Sequence, residues 1–432
     1  MSKICKIYDV LIIGAGAAGL FLAANLRGKS VAVLEKNATP GKKILASGGG
    51  RCNVTNRRID ASNYLGDANF VKNILKNLDF KDVLNFFGEL KFNEQKQNQF
   101  FCESGAKDVL GVLLKRARQS GAQIFCGVCV KSARKILTDE NGQILDVFPA
   151  QNRGENLTDF ETKFDYAEQN LNEIFEVLAE NGDKFYAKNL VIASGGLSYK
   201  SLGASDIGYE IAQSFGISVA TPAPALVGFT VQKEEFWFKN LSGVCFPAEI
   251  SVVFANKNAS NRESNMPRKF AGDILFTHKG ISGPAVLNAS LFWQKGLMAI
   301  NFCPNFSIET AQKSKKQLST ILPLPRRFTL EFLHAAGLND KPYGEYKADE
   351  TAKISRLFDY KFAPAGTFGF ERAEVTKGGA DTDALDANCC HNGTRGLYFI
   401  GEVLNVTGML GGYNLHFAFA CAANLAKRLN AE

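Results

Sequence analysis

The sequence predicts an α/β protein whose central parallel sheet comes from two separated parts of the chain, with a β-rich and helical insert between them. The chain begins with a strand, a glycine-rich turn and a helix at residues 8–26. It ends with a strand, another glycine-rich turn and a long apolar helix at residues 396–429. Between them, from residue 218, short strand patterns give way to a lysine- and leucine-rich helical pattern. Alternating strand and helix units of the first kind are typical of α/β folds.

Length and composition limit the classes of protein. The chain has 432 residues, of which 46% are hydrophobic and 22% charged, as expected for a soluble protein of two or three domains. Ten cysteines are too few for a disulfide scaffold and favour a reducing cytoplasm. The net charge of +7 is a weak bias over this length, so nucleic acid is not expected as a partner. We find no apolar run long enough for a membrane span and no signal peptide.

The first element is a nucleotide-binding βαβ unit. A strand at 8–13 leads into Gly14-Ala15-Gly16-Ala17-Ala18-Gly19, a helix follows, and a strand at 30–34 ends at Glu35. In this pattern the first glycine permits a tight turn, the second lets backbone approach a pyrophosphate, and the third allows close helix packing. The acid accepts hydrogen bonds from the ribose hydroxyls and would repel a 2′-phosphate. The nucleotide is therefore expected to be FAD or NAD and not NADP. The predicted contacts are Gly14, Gly16, Ala17, Ala18, Gly19, Glu35 and Lys36.

The second element favours FAD over NAD. Residues 40–56 read PGKKILASGGGRCNVTN, a glycine-rich loop with exposed backbone N–H groups and nearby cations. Such a loop can wrap a phosphate or a flat polar ring. An NAD domain usually continues directly into another βα unit here, whereas this loop suits a longer cofactor. The predicted contacts are Lys43, Gly49, Gly50, Arg51, Cys52 and Asn53.

The third element closes the cofactor site at the other end of the chain. A strand at 396–400 leads into Gly401-Glu402, and Gly411-Gly412 opens a helix that runs to residue 429. The positive end of this helix would face the flavin edge on which charge builds during reduction. The predicted contacts are Gly401, Glu402, Gly411, Gly412, Tyr413, Asn414 and Leu415. Val130 and the strand end Ser194-Gly195-Gly196 complete the predicted set.

These strings together resemble the BaiN/YhiN-type flavoproteins, which are related to the glutathione reductase-type FAD fold. The resemblance rests on GAGAAGL at 14–20, KKILASGGGRCNVTN at 42–56, ASGGLSY at 193–199, PALVGF at 224–229, LFTHKGISGPAVL at 275–287 and GEVLNVTGMLGGYNL at 401–415. It implies a Rossmann-like FAD-binding domain, discontinuous in sequence, with a β-barrel-like insert and a small helical domain. Two positions depart from the family pattern, which has Asp where this chain has Asn405 and Gln where it has His416.

The predicted domains follow the changes in pattern. The first part of the FAD-binding domain covers 1–217, and a β-rich insert covers 218–305. A helical insert covers 306–362, the chain returns through the β-rich domain over 363–381, and the FAD-binding domain ends with 382–432. Residues 105–120 predict an amphipathic helix, 123–131 a strand, and 150–172 an exposed polar excursion.

Candidate catalytic side chains are few. Arg51 could hold an anionic substrate or stabilise reduced flavin, Cys52 could be a thiol of low pKa, His278 could donate a proton, and Tyr413 could bond near the flavin. For each of them a structural or cofactor-holding role is the alternative. Cys126 and Cys129 form a CxxC with no second pair at zinc spacing, so both are interpreted as structural and no metal site is predicted.

The function predicted from these residues is a cytoplasmic FAD-dependent oxidoreductase. We find no second GxGxxG unit, so the reductant would be NADH or NADPH bound transiently, another protein, or the substrate itself. With NADH or NADPH as donor, hydride would pass through flavin N5 to a small unsaturated organic substrate. One alternative is an amine oxidase that releases hydrogen peroxide. Others are an RNA-acting flavoprotein and a non-catalytic flavin-binding protein. The protein is expected to be a monomer or homodimer.

Overall fold

The computed structural model describes residues 6–139, 144–145, 172–253 and 267–432. All but the last residue of the predicted polar excursion at 150–172 lies outside these ranges. The chain divides into two compact units. Unit 1 consists of residues 1–197, 201–222 and 378–432, and unit 2 consists of residues 198–200 and 223–377.

The strands alternate with helices at both ends of the chain and cluster in its middle. They are β1 (Ile7–Ile13), β2 (Val31–Glu35), β3 (Asn53–Asn56), β4 (Tyr64–Leu65), β5 (Phe92–Gln95), β6 (Gln99–Cys102), β7 (Gln123–Cys126), β8 (Val130–Thr138), β9 (Ile144–Leu145), β10 (Asn172–Ala179), β11 (Lys184–Ile192), β12 (Val219–Ala225), β13 (Phe229–Thr230), β14 (Cys245–Val253), β15 (Pro267–Thr277), β16 (Gly280–Ser282), β17 (Met298–Asn301), β18 (Tyr360–Phe362), β19 (Gly366–Thr367), β20 (Val375–Ala380), β21 (Leu397–Phe399) and β22 (Thr407–Gly408).

The helices of the described ranges include the long C-terminal helix that the sequence predicts. They are α1 (Ala17–Asn25), α2 (Lys42–Ala46), α3 (Ala68–Leu75), α4 (Phe80–Phe86), α5 (Ala106–Gln119), α6 (Ile207–Ser214), α7 (Pro284–Phe292), α8 (Ile308–Gln312), α9 (Leu318–Ile321), α10 (Arg326–Ala335), α11 (Ala348–Ser355) and α12 (Tyr413–Ala431). Within the ranges that the structure describes, none of them has the length and apolarity to cross a membrane.

Unit 1 is built on a sheet in the order β7-β2-β1-β11, with β21 parallel to β11 and the antiparallel strands β10, β8 and β9 continuing from it. The parallel register places Ile13 beside both Leu34 and Ile192, so β1 is central. Val10, Leu11 and Ile12 are fully buried, as expected for a parallel strand covered on both faces. The predicted Rossmann-like α/β class is confirmed.

Unit 2 contains a seven-stranded antiparallel sheet in the order β18-β17-β14-β15-β16-β13-β19. Aromatic side chains fill its core, and Phe238, Phe276 and Phe328 are each fully buried. The rings of Phe238 and Phe276 meet edge to face with centroids 5.0 Å apart. Such pairs stabilise beyond the area that they bury.

One predicted strand is wrong. The alternation over 123–131 predicts a single strand, but β7 ends at Cys126 and β8 begins at Val130. Gly127 lies between them with φ +76°, a conformation that breaks the extended chain and that glycine adopts without strain. The two cysteines of the CxxC therefore flank a turn. Both are free thiols.

Candidate functional site

The turn between β1 and α1 contains two glycines that allow close backbone packing and one that borders open space. A Cβ at Gly14 (φ +108°) would lie 2.4 Å from the Ala193 carbonyl oxygen, and one at Gly19 would lie 2.0 Å from the Gly14 carbonyl oxygen. Both glycines are therefore required by close packing. A Cβ at Gly16 would meet nothing within 4 Å. The turn thus leaves open space beside the first turn of α1, where Ala17 and Ala18 lie and where no side chain caps the free N–H groups.

Glu35 ends β2 and its carboxylate is largely engaged by the protein itself. Its Oε2 accepts a hydrogen bond from the Ala15 N–H at 3.0 Å. Its Oε1 accepts from the backbone and side-chain nitrogens of Asn37, each at 2.8 Å. A carboxylate has about four acceptor sites, so one remains for a ribose hydroxyl. The neighbouring Lys36 is exposed.

The turn at 127–129 lies against the end of β2. The N–H of Val128 donates to the Glu35 carbonyl at 2.9 Å, and that of Gly127 donates to the Asn37 carbonyl at 3.0 Å. Val130 then starts β8, opposite Ala179. The structure therefore brings this turn to the backbone of Glu35, the residue whose carboxylate is predicted to hold the ribose.

The glycine-rich loop between α2 and β3 turns sharply. Gly48, Gly49 and Gly50 have φ of +56°, +67° and +85°, and Cys52 follows at +56°. Arg51 is exposed, with its guanidinium carbon 4.4 Å from the Phe101 ring centre. These consecutive left-handed residues explain why the sequence places three glycines here.

The Cys52 thiol does not fit the predicted reactive group. It is fully buried, and this burial raises its pKa to about 12. A buried thiol with a raised pKa is protonated at neutral pH and is a poor nucleophile. Of the two alternatives, the structural role therefore fits this thiol, because desolvation outweighs the hydrogen bond with Ser47 that lowers its pKa.

Lys43 and Glu402 come together across the chain. The lysine Nζ lies 2.7 and 2.6 Å from the two carboxylate oxygens, and both side chains remain partly exposed. A Cβ on Gly195 would lie 4.0 Å from Glu402 Oε2, so the glycine turn after β11 approaches the same carboxylate. Three residues from three distant motifs therefore meet at one place.

The loop before α12 is held by side-chain hydrogen bonds. Asn414 bonds both the N–H and the carbonyl of Gly408, at 2.8 and 2.9 Å. Gly412 has φ +91°, and a Cβ on it would lie 2.6 Å from the Thr55 carbonyl oxygen. The Asn53 side chain, in the orientation that satisfies its neighbours, accepts from the Gly412 N–H at 3.0 Å. The GGGRCN loop and the start of α12 are thus in direct contact.

The remaining predicted side chains have different surroundings. Tyr413 is buried, which raises the pKa of its hydroxyl, while the charge of Arg58 acts in the opposite direction. Leu415 is half-buried on α12, and Gly401 packs its α-carbon close to Ala18. His278 is exposed in the turn between β15 and β16 of unit 2.

A profile described as the HI0933-like protein Rossmann domain matches residues 8–147 and 136–428. The chain belongs to the HI0933-like family.

Three relatives illustrate the range of this HI0933-like family. Proteins of Haemophilus influenzae and Escherichia coli, both named ribosomal RNA dihydrouridine synthase, are each 35% identical to this chain over 97% of its length and 98% of their own. A protein of Clostridium scindens named 3-dehydro-bile acid delta(4,6)-reductase is 29% identical over 98% of both chains. The resemblance to BaiN/YhiN-type proteins is therefore confirmed, and the chain is a FAD-dependent oxidoreductase of this family.

The residues of this HI0933-like protein fit a bound dinucleotide. The open space at Gly16 lies beside a helix N-terminus, where a pyrophosphate would be stabilised. The Ser194 hydroxyl at the end of β11 is buried and has no hydrogen-bond partner among the described residues. A buried hydroxyl without a partner costs free energy, and this oxygen packs against α6, where a Cβ on Gly208 would lie 2.1 Å from it.

The sequence did not indicate every residue of this region. Asn37 clamps Glu35 and also donates from its side chain to the Leu202 carbonyl at 3.0 Å. The signal for it was an amide two residues after the acid, a spacing that favours local hydrogen bonds. Tyr209 carries a second buried hydroxyl without a partner among the described residues, and burial together with Glu402 raises its pKa. Nothing in its local sequence distinguishes it from a core tyrosine.

Proposed function

We propose that this protein is a reductase of carbon–carbon double bonds conjugated to a carbonyl, with NADH or NADPH as donor and a uridine of ribosomal RNA as substrate. One observation carries the proposal: two relatives that match almost the whole chain at 35% identity are named for dihydrouridine synthesis in ribosomal RNA. Dihydrouridine is uridine with its ring double bond reduced.

The third relative supports the same bond chemistry. Its name describes reduction of double bonds conjugated to a ketone. Uracil and a 3-oxo-diene differ in shape and polarity but share a double bond polarised by a carbonyl. Hydride therefore adds to the electron-poor carbon, a proton adds beside the carbonyl, and the nicotinamide is oxidised. FAD, when bound, supplies the hydride transfer between donor and substrate.

The side chains of this chain have defined parts in that proposal. The Lys43–Glu402 pair would position the cofactor, and the first turn of α12 would place a positive dipole end near the flavin. Arg51 is exposed in the glycine-rich loop between α2 and β3 and would contact the substrate. Burial raises the pKa of Tyr413 further above neutral pH, and its protonated hydroxyl can donate a hydrogen bond to a substrate carbonyl.

The test measures reduction of the acceptor directly. The purified holoenzyme is reduced anaerobically by NADH or NADPH and mixed with ribosomal RNA transcribed in vitro or isolated from cells lacking the protein. We expect reoxidation of the flavin and a mass gain of two hydrogens on a uridine after nuclease digestion. No mass gain on any uridine, with either RNA, would overturn the RNA substrate.

Two further arms separate the alternatives. A 3-oxo-4,6-diene steroid acid replaces the RNA in one arm, and its reduction in place of uridine would assign the activity named for the Clostridium scindens relative. A primary amine without nicotinamide is added in the other arm. Flavin bleaching by the amine, followed by hydrogen peroxide release in air, would make the protein an oxidase.

A further inference from the structure

A small antiparallel sheet next to the glycine-rich loop has an unusual face. Strand β6 lies between β3 and β5, and the register sets Phe101 opposite Asn53 on one side and Asn93 on the other. It likewise sets Gln99 opposite Gln95. Residues opposite each other in a sheet share a face. Asn53, Asn93, Gln95, Gln99 and Phe101 therefore lie on one face, which we name the amide face.

Hydrogen bonds link the amide face to the start of α12. The Arg51 guanidinium donates to the Gln95 side chain at 3.3 Å. The Gln99 side chain lies 3.0 Å from that of Asn53, and Asn53 accepts from the Gly412 N–H at 3.0 Å. The face thus runs from exposed Gln95 to the helix terminus that belongs to the candidate cofactor site.

The hairpin turn between β5 and β6 presents polar side chains in a constrained backbone. Gln97 and Asn98, the last two residues of this three-residue turn, have φ of +63° and +62°, left-handed values that residues other than glycine rarely adopt. The Asn56 side chain donates to the carbonyls of Gln97 and Gly411, each at 3.0 Å. The turn is therefore tied to the loop before α12.

Cationic side chains flank the strands of the amide face along the chain. Arg51 lies over the Phe101 ring, and Arg58 and Lys96 are exposed. Arg57 differs from these cations, because its guanidinium donates through two nitrogens to the Glu94 carboxylate, which neutralises its charge. Among the described residues, none of the large exposed hydrophobic side chains belongs to this sheet. The surface is positive and polar, without the apolar wall that a steroid would bury.

This chemistry matches a nucleotide of single-stranded RNA. Amide groups pair with the donor and acceptor edge of an unpaired base, and a guanidinium stacked on an aromatic ring offers a planar platform for stacking. The free cations suit phosphates. A protein or steroid ligand would use few of these groups.

We propose that the amide face, with Arg51, Arg58 and Lys96 around it, is the surface on which the RNA substrate docks and by which its uracil is positioned. This inference rests on the proposed function. It assigns a role to residues that the cofactor site does not require, chiefly Gln95, Arg58 and Lys96.

The experiment uses three variants of the full-length holoenzyme. Arg58→Gln/Lys96→Gln removes two cations, Gln95→Leu removes one amide at similar size, and Lys76→Gln removes an exposed lysine at the end of α3 as the matched control. Binding is measured by fluorescence anisotropy of a labelled uridine-rich single-stranded RNA across a salt series. FAD content is measured by absorbance, and uridine reduction gives kcat and KM.

We expect the double variant to weaken RNA binding at least about tenfold and to reduce the slope of log affinity against log salt by about one to two. Gln95→Leu should raise KM for RNA severalfold with kcat nearly unchanged. Lys76→Gln should behave as wild type, and all three should retain FAD.

The contrary outcomes are distinct. If wild type reduces uridine while the variants bind and turn over RNA as the Lys76→Gln control does, the docking surface is wrong and the proposed function stands. If wild type neither binds RNA nor reduces uridine, both are wrong. Loss of FAD from Gln95→Leu would instead make the amide face part of the cofactor site and overturn the inference.

Discussion

His416 shows how one buried side chain couples the fold to pH. It is fully buried on α12, with Nδ1 2.8 Å from the Thr55 hydroxyl and Nε2 3.1 Å from the Leu78 carbonyl oxygen. A carbonyl only accepts, so Nε2 carries the proton and Nδ1 accepts from Thr55. Desolvation lowers the pKa of His416 to about 4, which keeps the ring neutral in the folded protein.

Stability should therefore fall in acid. Between pH 6.5 and about 4 the unfolded chain binds a proton at this site that the folded chain does not, so the free energy of unfolding decreases as pH falls through this window. The loss amounts to about 3 kcal/mol over the window. His416→Gln should flatten that part of the curve in urea unfolding at several pH values. Parallel curves for the two proteins would contradict the assignment.

Cys52 should be inert in the folded protein. Burial raises its pKa to about 12, while Cys126 is exposed beside Gly127. We expect iodoacetamide at pH 8 to label Cys126 slowly, because desolvation and Glu35 raise its pKa, and to leave Cys52 unmodified until urea is added, as read by peptide mass spectrometry. Cys52→Ala should keep FAD and retain turnover within severalfold. A large loss of kcat with FAD retained would restore a catalytic role for the thiol.

At the residue scale, the sequence predicts which residues belong to the candidate site better than it predicts their hydrogen-bond partners. The spacing from Gly14 to Glu35 marked the carboxylate, and the chain does place it at the end of β2. Its bonds to the Ala15 N–H and to Asn37 depend on how the turn closes in three dimensions. The amide face was not predictable, because its residues come from three strands whose register shifts between Asn53 and Thr55.

At the scale of single elements, the β1–α1 turn offers a matched pair of glycine substitutions. A Cβ at Gly19 would lie 2.0 Å from the Gly14 carbonyl, so Gly19→Ala should unfold the turn and lower the melting temperature of the FAD-free protein. Gly16 has an ordinary φ of −88° and open space around it. Gly16→Val should leave that melting temperature nearly unchanged but weaken FAD binding, because its side chain would fill the space assigned to the pyrophosphate.

These two substitutions are read by differential scanning calorimetry and by flavin fluorescence titration. If Gly16→Val binds FAD with the affinity of wild type, the pyrophosphate does not lie in the open space at Gly16. A stable Gly19→Ala protein would show that the turn can relax, in contrast to the close approach of the backbone described above.

The C-terminal end of helix α7 in unit 2 is capped by a half-buried lysine. Lys377 Nζ donates to the carbonyls of Ser290, Leu291 and Trp293 at 3.1, 2.9 and 3.1 Å. Burial lowers its pKa to about 8, so the ammonium persists at neutral pH and faces the negative end of the helix. Lys377→Met should cost about 2 kcal/mol of stability, since three carbonyls lose a charged donor. Exposed Lys295→Met is the control in urea unfolding, and equal stability of the two variants would contradict this role.

The sequence predicts the ends of an element well where the hydrophobic periodicity is strong. It misses an end that depends on the backbone conformation of a single glycine. The amphipathic pattern at 105–120 is α5, which spans Ala106–Gln119. The alternating pattern at 123–131 looked continuous, but Gly127 adopts a left-handed φ and the chain turns there toward Glu35. Periodicity reports which residues are apolar, and it does not report the φ that tertiary contacts select.

At the scale of the whole molecule, the sequence predicts the two-part central sheet because strand, glycine turn and helix recur at both ends. The structure joins β21 to β11 in parallel, so residues 397–399 complete a sheet begun at residue 7. Apart from the short segment 198–200, the polypeptide passes from unit 1 to unit 2 after Pro222 and returns after Lys377. Apart from His278, the residues predicted to touch cofactor or substrate belong to unit 1.

That distribution predicts separate control of cofactor affinity and of stability. Lys377→Met removes a hydrogen-bond donor from the end of a helix in unit 2. Gly16→Val fills the open space beside the first turn of α1 in unit 1. We expect Lys377→Met to bind FAD with the affinity of wild type despite its lower stability. FAD at about 100 times its Kd should stabilise wild type and Lys377→Met alike, by about 2.7 kcal/mol, because a ligand that binds only the folded state acts by mass action.

Gly16→Val should gain much less stabilisation at the same FAD concentration, since its affinity is reduced while its fold is intact. Urea unfolding with and without FAD, followed by tryptophan and flavin fluorescence, measures both quantities for the three proteins. A fall in FAD affinity in Lys377→Met comparable to that in Gly16→Val would mean that unit 2 contributes to holding the cofactor. The proposed assignment of the cofactor to the residues of unit 1 alone would then be wrong.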